Sequence, residues 1–424
     1  MFTRRPLDVV IVGAGVVGAA CAFYAARAGL SVAVVDRGPV AGGTTGAGEG
    51  NLLVSDKEPG PELDLALLST RLWRELSEEF PEEIEYEAKG GLVVASGETG
   101  FAALRTFAAA QAEAGVHCAE VPGHGLADFE PHLAPGLAGG VRYAQDAQVQ
   151  PALAAAHLLR ASGAELRLGE EVTGVLLAAD GSVRGVRTPR GEIRAPAVVN
   201  AAGTWGGRLA ALAGAELPVL PRRGFVLVTE PLPRVVRHKV YAADYVSDVA
   251  SGSAALQTSA VVEGTAAGPV LIGASRERVG FDRSLSVEVL RRLALQAGEL
   301  FPVLKEVRVM RAYHGFRPYL PDHLPAIGPD PRVPGLVHAC GHEGAGVGLA
   351  PGTGVLVVAG LLGLLGAAAG DGDGDGDAGR TGERGATPGH APGPGTRQWS
   401  VEGNAFRPER FGAEAGAGRV AGSG

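Results

Sequence analysis

The sequence predicts an α/β protein: a parallel layer of the nucleotide-binding type, with an α+β domain on a largely antiparallel sheet inserted into it. Three observations lead there. Strand and helix patterns alternate at both ends of the chain, the middle is rich in strands, and a glycine-punctuated turn joins the first strand to the first helix. A chain of 424 residues is also too long for one ordinary domain.

In chain order, Asp8 to Val12 reads as a buried strand, Val16 to Ala28 as a helix and Ser31 to Val35 as a second strand, one βαβ start. Leu63 to Phe80 has helical apolar spacing. Gly91 to Ala95 reads as a strand, and Phe101 to Ala114 as an alanine-rich helix closed by Gly115. A helix over Pro151 to Ala161 precedes strands at Glu165 to Leu168, Val175 to Ala178, Val183 to Thr188 and Val198 to Ala201. Phe225 to Glu230, Val270 to Ala274 and Val307 to Tyr313 suggest the separate antiparallel sheet, with Leu285 to Leu300 as the helix covering it. A last strand, Leu336 to Ala339, runs into another helix start. The expected division is residues 1–82, 145–221 and 310–366 for the nucleotide-binding domain, and 83–144 and 222–309 for the inserted domain.

Residues 367–403 break the pattern, and 404–424 form a C-terminal tail. From Ala367 to Arg397 the chain is Gly, Asp, Pro and Arg with almost no large apolar residue, a composition that cannot offset its ordering entropy. Asp371, Asp373, Asp375 and Asp377 superficially resemble a calcium loop, but the twelfth position is Gly382. The expectation there is a disordered spacer.

Composition excludes several classes. A formal net charge of -8, with no stretch concentrating Lys and Arg, argues against a nucleic-acid partner. The three cysteines, Cys21, Cys118 and Cys340, have no metal-ligand spacing, so no metal is expected, and their odd, low count implies a reducing, cytoplasmic compartment. Ala345 to Gly370 carries no charge and is long enough to span a bilayer, but Pro351 and its glycines favour a buried helix over a membrane span.

The strongest local signal is Gly13-Ala14-Gly15-Val16-Val17-Gly18, after a strand and opening a helix. Gly13 permits the turn, Gly15 lets backbone approach a pyrophosphate at the helix N-terminus, and Gly18 lets helix and strand pack closely. Asp36 ends the second strand, 23 residues after Gly13, where an acid accepts ribose hydroxyls; Arg37 follows it. Three later features favour FAD over NAD. Thr44 and Thr45 lie just beyond the acid, near Gly50 and Asn51. Val198 to Gly203 is an apolar strand ending in Ala202 and Gly203, with Trp205 next. The segment Gly341-His342-Glu343-Gly344-Ala345-Gly346-Val347 opens a helix whose N–H groups suit the flavin N1–C2=O edge.

These segments carry a family resemblance. DVVIVGAGVVGAACAFYAARAGLSVAVVDR, GGTTGAGEGN, VVNAAGTW, HGFRPYLPDHLPAIG and ACGHEGAGVGLAPGTG resemble the D-amino-acid oxidase family of FAD enzymes, in the branch of glycine oxidase, sarcosine oxidase and cyanide-forming glycine dehydrogenases. The last motif looks most like flavoprotein subunits of opine oxidases and hydroxyproline dehydrogenases. The resemblance runs from about Leu7 to Leu365 and resumes at Phe406 to Phe411. It implies a Rossmann-like FAD-binding domain of the glutathione-reductase type, with the inserted domain contacting substrate.

By resemblance, Val172 contacts the adenine through its backbone, and Arg317 clamps a substrate carboxylate with its planar fork. Tyr245 matches a glycine oxidase tyrosine that lines the substrate pocket; a packed core aromatic is the alternative. His314, His323, His342 and Glu343 lie close enough in sequence to line the same pocket, each with a structural reading beside the functional one. Gly315 stands where sarcosine oxidases carry the cysteine that attaches FAD, so the flavin is expected to be non-covalent. The implied reaction is hydride transfer from Cα of a D-amino or secondary amino acid to flavin N5, giving an imine that hydrolyses. The strand from Val270 to Gly273 lacks the lysine that sarcosine oxidases hold beside the ring. That tilts the reading toward a dehydrogenase that passes electrons to an acceptor or to an iron–sulfur partner subunit; the alternative function is the FAD-bearing subunit of a hetero-oligomeric dehydrogenase.

Overall fold

The computed structural model describes residues 6–243, 245, 253–370 and 404–411. The calcium-like run from Asp371 to Gly382 and the rest of the expected spacer after 370 lie outside them.

Val9–Val12 is buried at every position, as a central parallel strand covered on both faces must be. It pairs in parallel with Val32–Asp36 on one side and Ala197–Asn200 on the other. Glu165–Leu168 and Leu336–Cys340 extend the sheet outward, and Ala326–Pro329 closes it as an antiparallel edge, giving six strands. The helix Val16–Arg27 buries alanines against the sheet and against the helix Pro151–Ser162. The latter starts with Pro151 after a Gln150 side chain that accepts from the Leu153 amide (2.9 Å), and stops at Gly163 in the left-handed region. A three-stranded antiparallel meander, Gly174–Leu177, Val183–Thr188 and Gly191–Arg194, packs beside the sheet.

The second layer is an eight-stranded sheet in the order Val309–Tyr319, Leu220–Thr229, Val270–Arg276, Gln257–Gly264, Lys239–Ala242, Gly91–Ala95, Gly139–Tyr143 and Cys118–Pro122. Only Lys239–Ala242 with Gly91–Ala95 is parallel. The helix Val287–Leu300, capped by the Ser286 hydroxyl, buries Val289, Leu293 and Ala297 against Phe225, Val262 and Ile272 of this sheet. Val309–Tyr319 runs six residues beyond the strand expected to end at Tyr313, because it pairs along its length with Leu220–Thr229. The expected boundary between 309 and 310 therefore falls at the head of a strand that stands with the inserted sheet as far as Tyr319. That strand hands the chain from one layer to the other.

Helix Gly346–Gly370 returns under the first sheet. Its stretch Gly346–Gly366 is long and apolar enough to cross a membrane, and half of it is buried within the protein. Gly354 meets Tyr24 and Ala20 of the first helix, and Gly352 meets Leu65 and Ser69 of the helix Pro61–Glu79, approaches that a larger side chain would block. The segment from Asn404 docks by burying Phe406 completely, while the Phe406 carbonyl accepts from the Ile327 amide at 2.9 Å.

Candidate active site

A cleft of about 870 Å³ opens where the carboxyl ends of the parallel strands meet the inserted sheet. That volume lies toward the upper end for a small-molecule site, and the strand ends are where open α/β sheets place ligands.

The nucleotide half is built by the glycine turn. Gly13 has φ +120°, and a Cβ there would stand 2.2 Å from the Ala201 carbonyl oxygen, so only glycine fits. Gly15 precedes the helix with no side-chain cap, leaving the positive end of the helix facing the cleft. One first-turn amide is spoken for: Val16 N–H donates to Thr45 Oγ1 at 3.0 Å. Asp36 is fixed at its strand end by the amides of Ala14 (2.8 Å) and Gly38 (2.7 Å). Arg37 stacks on Trp205 at 3.9 Å, and Phe281 stacks on the same indole at 5.3 Å. Thr44 and Thr204 both donate to the Phe316 carbonyl, at 2.7 and 2.8 Å, tying the nucleotide loop to the substrate strand.

The structure brings most of the expected residues together. Gly13, Gly15, Val16, Val17, Asp36, Arg37, Thr44, Thr45, Asn51 and Val172 line the cleft. So do Ala202, Gly203, Trp205, His342, Gly344, Gly346, Val347, Tyr245 and Arg317. Four residues expected at the cofactor, Gly18, Gly50, Gly341 and Ala345, do not line the cleft. Gly18 packs against the Gly13 carbonyl, the packing role its spacing suggests. Gly50 is pressed against the Val149 carbonyl, where a Cβ would come within 1.8 Å, so it serves chain packing. Gly341 turns with φ +85° against Leu320, and Ala345 faces a small adjoining cavity with Lys57 and Asn51.

The substrate half depends on another glycine. The Arg317 guanidinium lies over Gly224 of the neighbouring strand, where an added Cβ would fall 2.1 Å from Arg317 Nη1. Nη1 donates to the Ser275 carbonyl at 2.8 Å, and among the described residues Arg317 has no carboxylate partner. Burial first, then the neighbouring Arg276, lowers its pKa, although a guanidinium stays charged. Tyr245 is buried, meets Tyr241 edge-on at 5.0 Å and carries the Arg276 guanidinium over its ring at 4.8 Å. His342 is buried, shares a hydrogen bond with Thr353 Oγ1 (2.9 Å), and burial pushes its pKa down to about 3. It therefore lines the cleft as an uncharged ring at neutral pH. Glu343 is committed to Arg222 (3.2 Å) and His323 (2.9 Å); His314 packs between Phe225 and Phe316 outside the cleft.

Sequence reasoning missed the charged floor. Lys239 is buried, bonded to Glu263 (2.5 Å), Glu49 (3.3 Å) and Asn51. Burial works against its charge, but Glu263 and Glu49 outweigh it and raise the pKa. The available signal was scarcity: Lys239 is one of four lysines in the chain and opens an apolar strand.

The comparisons agree with this geometry. The family model described as DAO, FAD dependent oxidoreductase, matches residues 8–359. The hydrogen cyanide synthase subunit HcnC of Pseudomonas aeruginosa is 31% identical over 404 residues, covering 84% of this chain and 92% of the relative. Glycine oxidase of Geobacillus kaustophilus is 31% identical, covering 82% of this chain and 91% of its own. The crystal structure of glycine oxidase from Geobacillus kaustophilus superposes with a TM-score of 0.76 at 29% identity, over 84% of this chain and 95% of that one. The chain belongs to the DAO family of FAD-dependent oxidoreductases and uses FAD.

Proposed function

We propose that the chain oxidises a D-amino or secondary amino acid at its Cα–N bond to an imine, which water then hydrolyses. The observation that carries this reading is Arg317: a half-buried guanidinium without a carboxylate partner among the described residues, in the same cleft as the glycine turn. A carboxylate is the ligand that its planar fork suits. FAD, when bound, supplies the hydride acceptor.

The chain's own residues do the rest. The turn at Gly13 and Gly15 with the uncapped helix end suits the pyrophosphate, Asp36 the ribose, and Val172 with Arg37 and Trp205 the outer rim. The start of helix Gly346–Gly370 offers amides to the ring system. Non-covalent attachment is supported at Gly315, where an added Cβ would stand 2.7 Å from the Ala47 methyl, leaving no room for a linking cysteine. Arg317 orients the substrate, Tyr245 and the neutral His342 wall it, and the surrounding buried chain excludes water.

A second reading, an FAD-bearing subunit of a hetero-oligomeric dehydrogenase, is favoured by one observation: HcnC is itself named as a subunit. Copurification of a stoichiometric small protein with the affinity-captured chain would support it. The main reading is tested by incubating the FAD-loaded protein with sarcosine, glycine, D-alanine and D-proline and trapping carbonyl products with a hydrazine reagent. A carbonyl product in step with substrate loss is expected; none from any amino or imino acid would refute it.

A further inference from the structure

We propose that Glu49 receives the substrate's amino group, so that the site selects a zwitterion and rejects a hydroxy acid or phosphate ester of similar size. This rests on the amino-acid reading above. Glu49 lines the cleft with Arg317 and Tyr245, and its side chain is only 7% exposed. One carboxylate oxygen is occupied: Oε2 accepts from Asn51 Nδ2 at 2.9 Å and lies 3.3 Å from Lys239 Nζ. The other, Oε1, is buried and has no hydrogen-bond partner among the described residues. A buried acceptor left unmatched is costly, and a ligand N–H removes that cost.

The position of Oε1 pairs it with Arg317. It sits against the strand Val270–Arg276 at Gly273, where a Cβ would come within 2.5 Å of it. Two residues further along, the Ser275 carbonyl accepts from Arg317 Nη1 at 2.8 Å. One strand thus backs an anionic and a cationic group, the complement of an amino acid's ammonium and carboxylate. A 2-hydroxy acid leaves Oε1 without a charge partner, and a phosphate ester brings negative charge toward it.

The charged and titratable groups around Glu49 are Lys239, Glu263, Arg317, Tyr245 and Tyr313. Lys239 is already shared with Glu263, and Tyr313 points its hydroxyl to the Gly48 carbonyl at 3.4 Å. Glu49 Oε1 is the acceptor left for the substrate nitrogen. When the ammonium is bound, its N–H bond breaks and an O–H bond forms on Oε1. The nitrogen keeps the electron pair, which oxidation of Cα requires, and no electron leaves the substrate in this step.

The test compares FAD-loaded wild type with Glu49→Gln. Wild type is first mixed anaerobically with glycine, sarcosine, D-alanine and D-proline, and loss of the oxidised-flavin band is followed. No bleaching by any of the four sinks the amino-acid reading itself. With a bleaching substrate in hand, E49Q is expected to lose about 30-fold or more in kcat/KM at neutral pH. Its kcat/KM should then climb about tenfold per pH unit toward the amine's own pKa, because only the free amine now fits, while wild type stays flat. Equal kcat/KM and parallel pH profiles in the two proteins would overturn the assignment of Glu49 alone. A measurement without a variant covers the case of E49Q losing its flavin: acetate, which lacks the amine, is titrated into wild type against glycine by the flavin spectrum. Glycine binding well ahead of acetate supports the proposal, and acetate binding as tightly as glycine overturns it.

Discussion

Gly15→Ala separates cofactor binding from folding more cleanly than any other change in the glycine turn. The residue has φ −77° and ψ 177°, a conformation open to any L residue, so alanine brings no backbone strain. Its Cβ would meet one protein atom, Thr45 Oγ1 at 3.0 Å, which must yield by a few tenths of an ångström. The cost to the flavin-free protein is therefore below about 1 kcal/mol. A bound pyrophosphate at the helix end cannot yield in the same way, and overpacking against a rigid partner costs about 1–3 kcal/mol. FAD affinity should accordingly fall about 5- to 150-fold, while the melting temperature of the flavin-free protein barely moves. Gly18→Ala is the contrast, since its Cβ would stand 1.9 Å from the Gly13 carbonyl oxygen and backbone must shift. That variant should melt well below wild type even without FAD. The assay is FAD titration by fluorescence quenching, paired with thermal melts of both flavin-free variants. Unchanged FAD affinity in Gly15→Ala, with a normal melt, would refute the placement of the pyrophosphate at this turn.

Three further changes probe the rest of the account. Arg317→Ala, which removes a half-buried charge that donates to the Ser275 carbonyl, should cost about 2–5 kcal/mol in kcat/KM with FAD content unchanged; undiminished turnover would exclude Arg317 from the site. Asp146, raised by burial to about 7 despite bonds from Ser55 and Val54, holds a proton in the folded protein that the unfolded chain releases near pH 4. Stability should therefore fall as pH rises from about 4 to about 7 and level off above, by on the order of 4 kcal/mol, and Asp146→Asn should flatten that fall in chemical-denaturation curves. Phe406→Ala, which empties a fully buried site, should lower stability by about 3–5 kcal/mol; an unaltered denaturation midpoint would mean that the segment from Asn404 is not docked.

How far the sequence could be read follows from how local each signal is. The turn at Gly13, the acid at Asp36 and the helices around them are encoded within a few dozen residues, and they stand where the pattern places them. Gly50 shows the limit of motif reading: it lies inside a cofactor motif, yet what demands glycine is the Val149 carbonyl, a neighbour distant in sequence. The charged floor was invisible for the same reason. Lys239 and Glu263 stand opposite each other because Lys239–Ala242 pairs antiparallel with Gln257–Gly264, a pairing with no local sequence mark, and Glu49 reaches them from a loop some 190 residues before Lys239. Four strands of that sheet, Cys118–Pro122, Gly139–Tyr143, Lys239–Ala242 and Gln257–Gly264, were missed because each mixes polar and apolar residues without clean alternation. Arg317 was found through its motif, but its room depends on Gly224, on a strand distant in sequence whose packing only the fold reveals.

The most direct test of the central claim is anaerobic bleaching of the FAD-loaded protein by a panel of amino acids, with the matching hydroxy acids as controls. The account predicts that at least one D-amino or secondary amino acid bleaches the flavin, that no hydroxy acid does, and that Arg317→Ala slows the bleaching. A flavin that stays oxidised with every amino acid, or one bleached equally by a hydroxy acid, would contradict it.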